Sequence, residues 1–524
     1  MANKQLFNGG VSASVRMAPK PNTTNKAGGS AYSMSAEQAL AQFACTGTLN
    51  DTFYTTAETQ LKEVLELANA VSPEFLAKTA VFARQLGFMK DMPALLLAVL
   101  SVRDVDLFKK AFPLVIDNGK MLRNFVQVMR SGQVGRKSLG SAPKKAIRAW
   151  LKQRTDFQIF RDSVGQTPSM IDMIKMVHPT PDSKSREALY AYLLGKTLTA
   201  EQAEALPELV KQYEAFKLDT TLTVPDVPFQ MLTSLPLESK HWTEIAKKAQ
   251  WMMTRMNLNT FMRHKVLDNP EMVKLIADRL SSKAEIEKAK AFPYQLMTAF
   301  MNAEDGMPAK ITNALQTAME HATANVPSYE GKVYVMVDVS GSMGTAVTGA
   351  RGTATSKVTC RDVAALMASV VLRKNPDAEV IVFDTSARSL KLNPHDSVMT
   401  NSKKISTPGG GTNCAAPLRM LNSRKAKGDL IIMVSDNESW AHHGYYGGGH
   451  GNMQTAWADF KSRNKGAKLV CIDICANATT QAVSRSDTLN IGGFSDQVFE
   501  TISAFTQGTG TPTFWTDKIA QIAL

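Results

Sequence analysis

Oxygen-bearing side chains cluster at points where predicted strands end. An alternating Asp-x-Ser-x-Ser run directly follows one apolar stretch, a threonine follows three glycines, and an aspartate follows a second apolar stretch. The five candidate ligands are Asp338, Ser340, Ser342, Thr412 and Asp436. Carboxylate and hydroxyl oxygens are hard donors that suit a divalent cation, Mg²⁺ above all. Because two of the five carry charge, the ion would stay net positive and keep an open position, which an external carboxylate or phosphate oxygen could fill.

The elements that position these side chains belong to the second half of the chain. Short apolar runs alternate there with helical segments, which predicts a doubly wound, mainly parallel α/β domain. The predicted strands are Val333–Val339, Glu379–Phe383, Leu430–Val434 and Lys468–Ile474, and the predicted helices are Lys357–Arg373, Ala415–Leu421 and Met453–Asn464. Ligands of such sheets bind at the carboxyl ends of the strands, where the five candidates fall.

The first half reads as helices with one apolar stripe each, from Ser35 to Thr323. Glu58–Val71 is amphipathic, Ser72-Pro73-Glu74 has the composition of a helix start, and Pro113 is expected to end a helix. Short connections between such helices favour a HEAT-like α-solenoid, with a compact helical bundle as the alternative. The predicted ranges are an N-terminal extension 1–34, a helical domain 35–325 and an α/β domain 326–524.

The net charge is concentrated in one part of the helical half. The 524 residues carry 60 Lys+Arg and 47 Asp+Glu, a net charge of +13. Residues 101–200 hold 18 basic and 8 acidic side chains, a local net charge of +10, and the stretch 118–155 holds ten basic residues and no acidic one. Such a run indicates a polyanionic partner, although a solvated basic face that serves only solubility is the alternative.

Other features restrict the class of protein. The polar N-terminus lacks the apolar core of a signal peptide, no apolar run reaches 18 residues, and five scattered cysteines fit a reducing compartment, so we expect a cytoplasmic protein without a membrane segment. Common nucleotide, zinc-protease and hydrolase motifs are absent, and two carboxylates are few for a two-metal nuclease, so we expect no enzyme. A Gly/His/Tyr-rich loop with His442, His443 and His450 is expected to be mobile, in preference to a histidine metal site.

The five candidate ligands resemble the metal-ion-dependent adhesion site of von Willebrand factor A domains. That site consists of an Asp-x-Ser-x-Ser run, a threonine and a later aspartate, and all five positions are present here. The resemblance implies a metal-binding A domain in the second half of the chain.

An A domain behind a basic helical half narrows the resemblance to the Ro ribonucleoprotein autoantigen family, bacterial members above all. Three segments are similar to family segments: Gly135-Arg136 with Lys144–Trp150, Ile171–Lys175 before His178-Pro179, and Phe292–Leu296. The resemblance implies a ring-shaped HEAT-repeat TROVE domain joined to the A domain.

The resemblance to the Ro family also implies a function. Members of the family bind small noncoding Y RNAs on the basic outer face of the ring and single-stranded 3′ ends of misfolded RNAs in its cavity, in RNA quality control, degradation or stress response. In bacterial members the Y RNA is thought to tether an exoribonuclease, polynucleotide phosphorylase. The RNA-binding residues implied here, for a monomeric protein, are Lys120, Arg123, Arg130, Arg136, Lys137, Lys144, Lys145, Arg148 and His178. A metal-dependent adaptor for protein partners, with the basic stretch incidental, is the alternative.

Overall fold

The computed structural model describes residues 19–164, 167–289, 291, 293–323, 326–350, 357–440, 452–508 and 511–524. The chain divides into two compact units. The sheet unit comprises Met1–Val71, Phe292–Met301 and Ala322–Gln521, and the helical unit comprises Ser72–Ala291, Asn302–His321 and Ile522–Leu524.

The helices follow the predicted periodicity along most of the chain. In chain order they are α1 Ala36–Thr46, α2 Ala57–Ala70, α3 Pro73–Gln85, α4 Asp91–Arg103, α5 Val105–Val115, α6 Gly119–Ser131, α7 Ser141–Gln153, α8 Asp156–Asp162, α9 Met170–Val177, α10 Lys184–Leu193, α11 Ala200–Ala205, α12 Glu208–Leu218, α13 Ser239–Lys248, α14 Trp251–Met256, α15 Leu258–Arg263, α16 Pro270–Ser281, α17 Lys283–Ala289, α18 Pro293–Met301, α19 Ala309–Ala322, α20 Cys360–Lys374, α21 Val398–Ile405, α22 Ala416–Ser423, α23 Met453–Arg463, α24 Asp496–Gln507 and α25 Phe514–Ala520.

The sheet unit is built on a six-stranded mixed sheet. The strands of the protein are β1 Thr23–Thr24, β2 Ser30–Ser33, β3 Val333–Asp338, β4 Glu379–Phe383, β5 Ala387–Ser389, β6 Leu430–Ser435, β7 Lys468–Asp473, β8 Thr479–Thr480 and β9 Thr488–Gly492. The order in the large sheet is β5-β4-β3-β6-β7-β9, and every neighbouring pair is parallel except β4 and β5. Each residue of the central strands β3 and β6 is buried, which explains their continuous apolar sequences.

The fold class is therefore confirmed: a helical region precedes a mainly parallel α/β domain. The sequence analysis omitted β9 and the antiparallel edge strand β5. Both are short, and β5 carries the exposed polar sequence Ala-Arg-Ser, which gives no strand signal of its own. The solenoid arrangement and the ring remain predictions.

The N-terminal residues pack with the sheet unit, so the compact units divide the chain differently from the predicted ranges. Strand β2 pairs with β8 at Tyr32–Thr480 and Ser33–Thr479, and α1 packs against β9. The segment that was assigned to an extension and to the first helix of the helical domain is thus joined to the sheet. Pairing between strands so distant in sequence leaves no local signal in the amino-acid sequence.

In the helical unit, helices pack against both the next helix and the next but one. Contacts join α3 with α4 and α5, α4 with α6, and α5 with α7. Ser72 caps α3 as expected, since its side chain accepts a hydrogen bond from the Phe75 N–H. The expectation for Pro113 was wrong, because this proline lies inside the last turn of α5 and the helix continues to Val115. A proline removes one backbone donor, which a helix tolerates most readily near an end.

Three phenylalanines hold the first helices of this unit together. The rings of Phe108 and Phe125 are 5.8 Å apart, and Phe112 meets Phe125 edge-on at 5.5 Å. All three side chains are buried, so they contribute both apolar burial and ring–ring contacts.

We expect Phe125→Ala to lower the free energy of unfolding of the helical unit by about 3–5 kcal/mol, because the cavity left in the core cannot fully collapse. Urea unfolding followed by circular dichroism measures the change. Gln127→Ala, an exposed position on the same helix, is the control and should change it little. Equal midpoints for the two variants would contradict this account of the core.

Candidate functional site

The predicted ion site forms where β3 and β6 end side by side. Asp338 is the last residue of β3, and Asp436 follows Ser435, the last residue of β6. The Ser435 hydroxyl donates a 2.6 Å hydrogen bond to Oδ2 of Asp338, and the Ser340 N–H donates a 2.8 Å hydrogen bond to Oδ1. The parallel register of the two strands therefore holds both carboxylates at one edge of the sheet.

The two serines of the alternating run lie beside these carboxylates. The hydroxyl oxygens of Ser340 and Ser342 are 3.3 Å apart, and the Ser342 side chain hydrogen-bonds to Asp436. A short 3₁₀ turn over Ser342–Gly344 follows and directs the chain away from the sheet. The alternation of the run thus places both hydroxyls near the two carboxylates.

The glycine-rich loop brings Thr412 to the same edge. The Gly409 N–H donates to the Val339 carbonyl at 2.8 Å, and the Gly341 N–H donates to the Gly410 carbonyl at 2.8 Å. A Cβ at position 409 would stand 2.9 Å from the Val339 oxygen, so this close approach requires glycine. Thr412 itself is buried, and its carbonyl accepts a hydrogen bond from the Trp440 N–H.

The electrostatics of the site call for a cation. Asp338 and Asp436 are 0% and 3% exposed. Burial, and then the negative charge of Asp436, raise the pKa of Asp338 to about 7, and burial also raises the pKa of Asp436. Two carboxylates shielded from water are costly to ionise unless a positive charge compensates them.

The donor set fits Mg²⁺. Two carboxylates and three hydroxyls provide oxygen ligands alone, the type that this ion prefers. Throughout the described ranges, no group of three or more His, Cys, Asp or Glu side chains is suited to hold a metal, so the site depends on its hydroxyls. The histidine-rich loop considered as an alternative, residues 441–451, lies outside the described residues.

The sequence analysis missed two side chains that border the site. Glu438 is 2% exposed, and its Oε2 accepts a 2.9 Å hydrogen bond from the Ala27 N–H. Burial and the neighbouring Asp436 raise the pKa of Glu438 to about 7. Tyr54 hydrogen-bonds to Ser342, and burial raises its pKa to about 12. The position of Glu438, two residues after Asp436, could have indicated its role, whereas Tyr54 has no signal in the sequence.

The predicted RNA-binding residues lie in the helical unit, on α6, on α7, between these helices and after α9. Lys120, Arg130, Lys137, Lys145 and Arg148 are exposed, and Lys144 is half-buried. The nearby Lys152 on α7 is exposed as well. We refer to these seven side chains as the basic surface.

Two of the predicted residues, Arg123 and Arg136, use their side chains in hydrogen bonds within the helical unit. Arg123 donates from Nη1 to the backbone carbonyls of Asp162 and Val164, at 3.0 and 2.8 Å. Arg136 donates from Nη2 to the carbonyl and hydroxyl of Ser101, at 3.3 and 3.2 Å. Their guanidinium groups are half-buried, so they are less available for phosphate than the lysines around them.

Arg148 connects the basic helix α7 with His178. Its Nε donates to the carbonyl of Val177, the last residue of α9. His178 follows in the left-handed conformation with φ 47°, and its side chain is exposed. The structure therefore brings His178 close to the basic residues of α7, as a common RNA-binding role requires.

The charges of the basic surface exceed those of the neighbouring acids, although Arg130 lies near enough to Asp172 to help hydrogen bonds from Ser169 lower the pKa of that carboxyl. As far as the structure describes the chain, its lysines and arginines form no salt bridge, and the acids at the ends of the basic stretch are engaged with other residues: Asp117 pairs with Arg84, and Asp156 pairs with Arg186. The pKa of Lys90 is lowered by burial and then by the positive charges of Lys120 and Arg84. Unpaired, exposed cations on adjacent helices are the electrostatic footprint expected for a polyanion site.

Of the described helices, none is both long and apolar enough to cross a membrane.

Comparison with known proteins finds one family of relatives. Residues 332–506 match the model of the Ro60 vWA domain. The RNA-binding protein RO60 of Deinococcus radiodurans is 24% identical over 92% of this chain and 95% of its own length. The RNA-binding protein RO60 of Caenorhabditis elegans is 24% identical over 32% of this chain and 27% of its own length.

A solved structure supports the fold over most of the chain. The crystal structure of the Deinococcus radiodurans RO (RSR) protein matches with a TM-score of 0.62 at 19% identity, and the match covers 91% of this chain and all of that one. The five candidate metal ligands lie inside the range that matches the Ro60 vWA domain, and the basic surface lies outside it. Residues 332–506 are therefore similar to the Ro60 vWA domain, and the chain as a whole resembles the Ro proteins.

Proposed function

We propose that this protein binds noncoding RNA through the basic surface of the helical unit. The observation that carries the proposal is the set of exposed lysines and arginines on α6 and α7 that form no salt bridge within the described residues. Lysine and arginine side chains bind phosphates of any sequence, which suits a protein that handles diverse RNAs. The similarity to two proteins named RNA-binding protein RO60 supports the same class of ligand.

The resemblance to the Ro family gives the proposal its finer content. The structured ligand would be a Y RNA-like small RNA that meets the basic surface and His178. Misfolded RNAs would be held by their single-stranded 3′ ends, and an exoribonuclease such as polynucleotide phosphorylase would be tethered through the RNA. The protein would act in the cytoplasm as a scaffold for RNA quality control, with no catalysis of its own.

We further propose that Asp338, Ser340, Ser342, Thr412 and Asp436 hold Mg²⁺ in the sheet unit. When bound, the ion would compensate the two buried carboxylates. The second candidate function, a metal-dependent adaptor for a protein partner, rests on this site alone. In that case the protein would have no RNA role, and the basic surface would be incidental.

Reversal of three charges on α7 tests the RNA-binding proposal. The variant Lys144→Glu/Lys145→Glu/Lys152→Glu should bind a structured small RNA roughly 100-fold more weakly at moderate salt, and the slope of log affinity against log salt should become shallower by about 2, because about three phosphate contacts are lost. Gel shifts or fluorescence anisotropy at several salt concentrations measure both quantities.

A matched control carries the same change in charge elsewhere on the helical unit. Lys196, Lys274 and Lys310 are exposed and form no salt bridge within the described structure, so their replacement by glutamate should change the RNA affinity far less. Equal losses in the two triple variants would indicate a nonspecific effect of net charge and would overturn the assignment of the surface. RNA that stays intact in Mg²⁺ during these assays would exclude the nuclease alternative.

Removal of one carboxylate tests the metal proposal. Asp338→Asn should abolish Mg²⁺ binding in calorimetric titrations and the rise in Tm that Mg²⁺ gives the wild-type chain, since a ligand stabilises the folded state that binds it. Asp377→Asn, an exposed position with the same change in charge, is the control. RNA affinity should stay at the wild-type value in both variants. A loss of RNA binding in Asp338→Asn alone would show that RNA binding depends on the ion site, whereas a protein partner that is lost in this variant would favour the adaptor function.

The raised pKa of Asp338 predicts how pH acts on the site. A carboxyl whose pKa is raised to about 7 by folding favours the protonated form in the folded state, so the ion-free sheet unit should lose stability as the pH rises from about 4 to 7. Because Mg²⁺ competes with that proton, its affinity should increase over the same range. Titrations in buffers of different ionisation enthalpy should report proton release near pH 6 and little above pH 8. An affinity that does not vary with pH would contradict the assignment.

A further inference from the structure

A small cavity lies directly beside the predicted ion site, inside the sheet unit. Its volume is about 20 Å³, and its lining includes Ser342 and Asp436 of the ion site, Glu438, and Tyr54 from the N-terminal segment. A cavity of this size holds one water molecule when polar groups surround it. Polar atoms that line it can therefore act on the ion through a single water.

Glu438 presents an unsatisfied oxygen in this region. Its Oε2 accepts a hydrogen bond from the Ala27 N–H, whereas Oε1 is buried and has no hydrogen-bond partner of good geometry among the described residues. Burial raises the pKa of Glu438, and the ammonium and the backbone N–H of Lys26 lie nearby and offset part of that rise. A buried carboxylate oxygen without a donor is costly, so a native structure is expected to provide one. A water in the cavity could donate one hydrogen to Oε1 and turn its own oxygen to the ion.

Tyr54 is another residue that lines the cavity. Its hydroxyl hydrogen-bonds to Ser342, one of the five candidate ligands. The turn that carries it is closed by the Thr52 N–H, which donates to the Thr55 carbonyl at 2.9 Å. The tyrosine is therefore held in a defined position next to the ion site.

The segment around Tyr54 is attached to the loop that follows the Asp-x-Ser-x-Ser run. The Ala350 N–H donates to the Asp51 carbonyl at 2.9 Å, and the Asn50 side-chain amide donates to the Thr348 carbonyl at 2.9 Å. These hydrogen bonds hold the segment without the Tyr54 hydroxyl. Replacement of that hydroxyl should therefore leave the segment in place.

The turn between β1 and β2 in the N-terminal segment contacts Glu438 and Ser439. The Asn25 side-chain amide donates to the Ser439 carbonyl at 2.9 Å. A Cβ at Gly29 would stand 1.9 Å from that same carbonyl oxygen, so only glycine permits the approach. The Ala27 N–H that binds Glu438 lies in this turn, which therefore orients the carboxylate.

We propose that Tyr54 and Glu438 hold a water molecule as the remaining ligand of the ion, so that the chain itself completes the site. The inference rests on the proposed Mg²⁺ role. The five candidate ligands leave at least one position of the octahedral shell that Mg²⁺ prefers, and this ion usually keeps water in its shell. The open position expected from the sequence is then filled from within, and no acidic side chain of a partner binds there. Tyr54 and Glu438 are positioning residues that act on the ion through this water.

The test compares Mg²⁺ affinities of the full chain by calorimetric titration after treatment with a chelator. Tyr54→Phe and Glu438→Gln should each weaken binding by about 10-fold or more, as is typical when a group that orients a metal ligand is removed. The controls are Tyr32→Phe, which removes a hydroxyl from the same N-terminal segment, and Glu58→Gln, which removes an exposed carboxylate. Both controls should keep the wild-type affinity.

Two further measurements separate this role from a purely structural one. The Tm without Mg²⁺ should not fall in Tyr54→Phe or Glu438→Gln, since the surrounding attachments remain. Acetate at millimolar concentration should leave the Mg²⁺ affinity of the wild-type chain unchanged, because the position that it would occupy is filled.

The outcomes distinguish the inference from the function on which it rests. If the wild-type chain binds Mg²⁺ and both variants bind it equally well, the inference is overturned and the metal site stands. Acetate that tightens Mg²⁺ binding to the wild-type chain overturns it too, since an open position then exists. If neither the wild-type chain nor Asp338→Asn binds Mg²⁺, the proposed metal role fails, and the inference fails with it.

Discussion

The burial of two carboxylates at the ends of adjacent parallel strands is the constraint on which the sheet unit depends. Asp338 and Asp436 are carried to one edge of the sheet by the pairing of β3 with β6, and neither reaches solvent. Such a pair is tolerable only if it is protonated or compensated by a cation, which explains the hydroxyls of Ser340 and Ser342 around it and the loop that brings Thr412. Residues 25–54 of the N-terminal segment contact the same edge, so the geometry of the ion site depends on how this segment packs.

The two units differ in the charge that they carry and in where it lies. The helical unit carries +9 of the net charge of +13, and the lysines of α6 and α7 form no salt bridge within the described residues. The sheet unit concentrates buried negative charge at one point instead. The proposed polyanion and the proposed divalent cation would therefore bind to different units of the chain.

Local sequence patterns predicted the main residues of both sites. They could not predict the contacts that depend on tertiary structure. The alternating run at Asp338 and the apolar strands on either side are local patterns, so the central strands, their ends and the five candidate ligands could be predicted from the sequence. Tyr54 could not, because its approach to Ser342 depends on a tertiary attachment between distant segments. For the same reason, a count of charges treats Arg123 like Lys145, although the first guanidinium is bound to the Asp162 and Val164 carbonyls and the second side chain is exposed.

The RNA contacts themselves can be mapped by ultraviolet crosslinking of the protein to RNA in its own cells, followed by mass spectrometry of the crosslinked peptides and sequencing of the RNA. The structure predicts crosslinks concentrated in residues 119–153 and around His178, on small structured RNAs. Crosslinks confined to the sheet unit, or no RNA recovered above background, would contradict an RNA-binding role of the basic surface.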